Sequence, residues 1–210
     1  MQERSKTYNL TIMGIFSAII FLLAYTPIGF IQLPFIKATI IHIPVIIGSI
    51  LLGPAYGAVL GFLFGVTSFI SNSMTPTVSS FVFSPLVPLP ASDGGSLLAL
   101  LVCFVPRILV GLLPSLTYTG LQKITKKRYK TVCLSLSGIV GSLTNTLLVM
   151  HMIFFFFKDS YAEVKNVAID AVYAFILGII SANGIPEAIA AAILIPVIVL
   201  AVLKIENMRR

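Results

Sequence analysis

The side chains able to do chemistry are few, and each stands in an otherwise apolar run. Arg107 is the one formal charge in the 26 residues Leu97–Gln122. A guanidinium keeps its charge at any accessible pH, so at membrane depth it must face a protein interior, a water-filled cavity or an anionic partner. Placing it there costs roughly 2.5–3.5 kcal/mol on insertion scales, which marks the residue as an anchor for an anionic ligand. The alternatives are a structural ion pair, with Glu187 as the acid, and a head group that snorkels to the interface. Asn145 offers an amide that donates and accepts. His42, the hydroxyls of Thr39, Ser84 and Thr144, and the carboxylate of Glu187 complete the candidate set. His42 also reads as a histidine satisfied within its helix. His151 has no assigned role, Asp170 reads as interfacial or cavity-facing, and Asn183 as a helix-end cap.

Helix rise is about 1.5 Å per residue, so depth follows from counting back to the basic ends of the runs. Arg107 lies sixteen residues before Lys123, Asn145 fifteen after Lys130 and Glu187 seventeen before Lys204, roughly 24, 22 and 25 Å. His42, eleven residues before Gly53, is shallower, at roughly 16 Å. Across a hydrocarbon core of about 30 Å, the first three share one level in the outer half. This predicts a cavity that opens outward, with a few polar groups on apolar walls. Catalysis is not expected: the chain has no HExxH, no GxSxG, no phosphate loop and no paired acids at metal spacing, so neither an enzyme nor a metal or other cofactor is predicted. Cys103 and Cys133 form no CxxC and read as small core residues.

The elements that must position these groups are membrane spans. The 210 residues are 58% hydrophobic and 10% charged, with mean hydropathy +1.05, a balance that excludes a soluble domain. Ten of the fourteen basic residues gather in three short places: Arg4 and Lys6; Lys123, Lys126, Lys127, Arg128 and Lys130; and Lys204, Arg209 and Arg210. All three are expected to be cytoplasmic by the positive-inside rule, and none is broad enough to bind nucleic acid. Tyr8, Tyr25, Tyr56, Tyr118 and Tyr129 stand near run ends, where an aromatic belt would lie.

The expected fold is an all-α integral membrane protein with six spans and both termini cytoplasmic, a single domain over 1–210. The spans are about 8–25, 38–52, 55–71, 97–122, 131–157 and 187–203. A seventh apolar stretch, 166–182, would put Lys204 outside if it crossed. It therefore reads as an outer re-entrant or cavity-lining helix, interrupted at Asn183-Gly184-Ile185-Pro186. Gly53, Gly57, Gly61 and Gly65 recur every fourth residue and predict a bare ridge for close helix packing. Two proline-rich stretches, Thr26–Lys37 and Asn72–Ser96, read as outer loops over the cavity. Phe81, Val82, Phe83, Leu86, Val87 and Leu89 argue against disorder in the second.

The run Ile41–Gly65, IHIPVIIGSILLGPAYGAVLGFLFG, resembles the substrate-binding (S) components of energy-coupling factor (ECF) vitamin transporters, with agreement in size, span number, basic ends and covering loops along nearly the whole chain. Gly14 and Ala18 on the first helix are similar to the family's small-xxx-small motif, often AxxxA. The resemblance implies that this face contacts a transmembrane coupling subunit and, through it, two ATPase subunits. HIP followed by GP, an arginine in the fourth span and an asparagine in the fifth resemble the pantothenate-specific members. By that resemblance Arg107 would hold the carboxylate of pantothenate, and Asn145 its amide or hydroxyls. The other readings are an S component for riboflavin or folate, or a membrane assembly protein whose polar layer only joins helices.

Overall fold

A computed structural model of the chain describes residues 6–26, 29–33, 36–90 and 92–208, with the backbone alone at 30–33, 36–38, 206 and 207. Arg4, Arg209 and Arg210 of the basic ends, and Pro27, Ile28, Pro34 and Phe35 of the first loop, lie outside the described residues. Among the described residues seven α-helices run in order: α1 (Lys6–Tyr25), α2 (His42–Leu52), α3 (Pro54–Met74), α4 (Leu98–Ile124), α5 (Lys130–Lys165), α6 (Val172–Ile179) and α7 (Ile185–Met208). Among the described residues five helical stretches are long and apolar enough to cross a bilayer, and the eleven-residue α2 is a shorter apolar helix.

The bundle is built around α2. All eleven of its residues are buried, as a helix apolar on every side requires. Ile20 and Leu23 of α1, Leu60 and Phe64 of α3, Val110 of α4, Leu134 of α5, and Ala191, Ile195 and Val199 of α7 pack around it. The turn into α3 is made at Gly53, whose φ of 100° is open to glycine and strained for other residues. Pro54 follows in the first turn of α3, where its missing N–H leaves no helix bond unmade. The predicted glycine ridge closes on α4: a Cβ at Gly57 would strike the Gly111 carbonyl, and one at Gly61 the Arg107 carbonyl. These contacts set α3 against the backbone that carries the arginine.

A second apolar cluster lies at the end of the bundle away from the basic 125–129 turn. It joins Phe81 and Val82, Ala99 and Val102 of α4, Val149, Ile153, Phe157, Tyr161 and Ala162 of α5, and Val172 and Ile176 of α6. The 36 residues of α5 are about 54 Å of helix, longer than a hydrocarbon core of about 30 Å. The helix bends at Phe157, the residue at which the apolar run ends.

Two expectations need correction. The stretch Thr26–Lys37 is not all loop: Phe30–Leu33 (β1) and Ile36–Thr39 (β2) pair antiparallel, with Phe30 opposite Thr39, so α2 begins at His42 and not at Ala38. The fold is thus helical with one small hairpin. The second correction is at Asn183–Pro186, which does not interrupt the chain. Residues 180–184 form a π turn that carries α6 directly into α7. A π turn absorbs an irregular residue without ending the helix, and Pro186 falls in the first turn of α7, where its fixed φ is tolerated. Residues 172–182 therefore run on into α7, while Asn166, Val167 and Ala168 precede them in non-helical backbone.

Candidate functional site

Two buried charges dominate the interior, and the structure treats them differently. Arg107, on α4, is 7% exposed. Its guanidinium lies over the Phe83 ring at 4.9 Å and the Phe64 ring at 5.7 Å. Nη1 donates to the Val102 carbonyl at 2.8 Å, while Nε is buried with no partner. No carboxylate among the described residues pairs with it. The rings supply attraction to a cation without neutralising it, so the site retains a full positive charge and an unfilled donor.

Phe83 reaches the arginine because its loop is pinned on both sides. The Ser80 hydroxyl donates to Asn72 Oδ1 at 2.7 Å, and Ser84 Oγ lies 2.8 Å from Ser73 Oγ. Ser84 Oγ also accepts the Leu86 N–H at 3.2 Å. The neighbours Phe81 and Val82 are buried in the far-end cluster. Phe83, Val87 and Leu89 pack against the same cluster, whereas Leu86 is exposed; Ser84 serves the loop's anchorage.

Glu187, in the first turn of α7, is 6% exposed. Its Oε1 accepts the Thr39 N–H at 2.9 Å and the Thr39 hydroxyl at 3.1 Å; its Oε2 accepts the Thr146 hydroxyl at 3.1 Å. The carboxylate thereby ties the hairpin to α5 and α7, and it does not bridge to Arg107. His42 is buried beside it. Neither ring nitrogen closes a hydrogen bond of good geometry, with the Thr39 backbone and the Glu187 carboxylate as neighbouring polar groups.

Next to Thr146 on α5, Asn145 keeps a buried Oδ1 without a partner, as does the hydroxyl of Ser142 one turn earlier. Thr144 donates to the Val140 carbonyl of its own helix at 2.6 Å. The structure therefore gathers Thr39, His42, Glu187 and Thr146 in one nest, and Arg107, Phe64 and Phe83 in another. Thr146 escapes a sequence reading that seeks the most polar residue per span. It does fall on the buried stripe Gly138, Ser142, Thr146 and Val149 of α5, and that periodicity is its signal. Phe64 and Phe83 carry no signal apart from their rings. Gly14 and Ala18 sit on the exposed face of α1, and a Cβ at Gly14 would meet open space.

The residues 8–199 match the family model described as "ECF transporter, substrate-specific component". The chain belongs to this family. It is a transport component and not an enzyme, a multi-pass protein of the cell membrane. Among curated relatives, the pantothenic acid transporter PanT of Lactococcus lactis subsp. cremoris is 37% identical over 207 residues, 98% of each chain. The pantothenate transporter PanT of Leuconostoc mesenteroides subsp. mesenteroides is 29% identical over 202 residues, 93% of this chain and 92% of the relative.

Proposed function

We propose that the chain captures pantothenate from outside the cell and delivers it inward as the S component of an ATP-driven importer. The observation that carries this is Arg107: a buried cation lying against two rings, with an unpartnered Nε and no acid among the described residues to neutralise it. Such a group suits a ligand carboxylate. Asn145, with its unpartnered buried Oδ1, takes the amide or hydroxyls of the ligand. Both relatives are named for this vitamin. His42, Thr39, Ser84, Thr144 and Glu187 frame the same six-span cavity, whose mouth faces outward and whose chain ends are cytoplasmic. Two of them act at one remove, Glu187 by fastening the hairpin and Ser84 by fastening the loop that carries Phe83.

The exposed face of α1, with Gly14 and Ala18, docks on the transmembrane coupling subunit, which links the chain to two ATPase subunits. Small residues there let another helix approach closely. The test is calorimetric titration of the purified chain with pantothenate, riboflavin and folate in turn. Saturable binding of pantothenate alone is expected. Binding of riboflavin or folate instead would replace the ligand, and binding of none would favour a membrane assembly role.

A further inference from the structure

In an α-helix the N–H of residue 106 would bond the carbonyl of residue 102, but residue 106 is proline and has no N–H. The Val102 carbonyl is therefore left without its helical donor, one turn from Arg107 on the far-end side. The acceptor of Arg107 Nη1 is this same carbonyl, at 2.8 Å. Side chains on a helix lean toward its N-terminus, which carries the guanidinium back over that turn. On a guanidinium the edge formed by Nε and Nη2 faces away from Nη1, and Nε is the buried donor with no partner. That edge matches a carboxylate in two parallel hydrogen bonds.

We propose that Pro106 is a positioning residue for ligand recognition. By withholding its N–H it frees the Val102 carbonyl, which grips Nη1 and presents the Nε–Nη2 edge to the ligand carboxylate. This rests on the reading that Arg107 binds that carboxylate. Pro114, two turns along α4, also lacks an N–H, but no guanidinium among the described residues is bonded to the Val110 carbonyl it leaves free. It is the internal control.

The experiment compares pantothenate with pantothenol, its uncharged alcohol analogue, as ligands of the purified full-length chain and of Pro106→Ala, Pro114→Ala and Arg107→Ala. Pro106→Ser restores the same N–H and stands in should the alanine variant fail to accumulate; the unfolding temperature of every variant is measured. A restored N–H at 106 puts the helix's own donor on the Val102 oxygen and weakens its hold on Nη1. The preference for pantothenate over pantothenol is expected to fall about tenfold in Pro106→Ala, the scale of a lost charge-assisted contact, and to persist in Pro114→Ala. A merely structural proline would weaken both ligands together and leave the ratio alone; that result overturns the inference. If Arg107→Ala itself keeps the ratio, the carboxylate reading fails, and this inference with it. If Arg107→Ala loses the ratio and Pro106→Ala keeps it, only the inference fails.

Discussion

Arg107 and Glu187 are almost equally buried, yet one is saturated and the other is not. The carboxylate receives three hydrogen bonds from Thr39 and Thr146; the guanidinium has one backbone acceptor, two ring faces and an idle Nε. Burying a charge is tolerable when hydrogen bonds or an opposite charge replace water. Glu187 meets that condition from within the chain, so it fastens the hairpin and holds no evident vacancy for another group. Arg107 does not meet it, so the chain leaves its interior incomplete at that point. The difference separates a charge satisfied from within the fold from one left partly unsatisfied, and it is why we propose the second as the ligand anchor.

The sharpest way to break this comparison is Arg107→Ala. Loss of a charge-assisted, bidentate contact should weaken pantothenate binding by about 1.5–3 kcal/mol, roughly 10- to 150-fold, read by calorimetry. An unchanged affinity would remove the arginine from the site. Glu187→Ala should act on stability instead. It strands the Thr39 N–H and the buried Thr146 hydroxyl, and should lower unfolding free energy by about 2 kcal/mol or more, with Glu187→Gln losing less because one carbonyl acceptor remains. Thermal unfolding in detergent reads both. With no ion pair between the two charges, the stability effects of Arg107→Ala and Glu187→Ala should add within about 0.5 kcal/mol in the double variant. A larger coupling would mean that the two nests act as one.

The helices and the glycine ridge were legible in the sequence because apolar length and small-residue spacing are local properties. The seven polar candidates were also legible, since a polar residue in an apolar run is conspicuous. Their partners were not. Depth counting placed Arg107 and Glu187 at one level and suggested a bridge between them. Depth carries no information on rotation about the helix axis, and the π turn at 180–184 changes the facing of Glu187 in a way that no 3.6-residue count anticipates. The hairpin was missed because two four-residue strands flanked by prolines give a weak pattern, and the threonine that ends it is what meets the carboxylate. Phe83 was recognised only as apolar loop content; its place over Arg107 depends on Ser80 and Ser84 holding that loop to α3.

A smaller effect probes that loop. Phe83→Leu keeps the apolar cover and removes the ring face 4.9 Å from the guanidinium. The cation–π contribution at a desolvated site is about 1 kcal/mol, so pantothenate affinity should fall roughly fivefold. Phe64→Leu should fall less, because that ring is farther away, at 5.7 Å. Equal losses would mean that the two rings act through packing and not through the charge.

The smallest effect separates neighbours on one helix. Asn145 has an idle buried oxygen, whereas the Thr144 hydroxyl is already given to the Val140 carbonyl. A hydroxyl bonded back to its own helix has little left to offer a ligand as donor, and valine reproduces its branched shape. Thr144→Val should therefore change pantothenate affinity by less than about twofold, within the usual scatter of about 0.5 kcal/mol for a site without a named contact. Asn145→Leu should lose about 1 kcal/mol or more, as removing a hydrogen-bonding partner of a buried polar ligand group does. If the order is reversed, with Thr144 the sensitive position, the ligand enters from a different face of α5 than the one carrying Thr146 and Ser142, and Asn145 leaves the site.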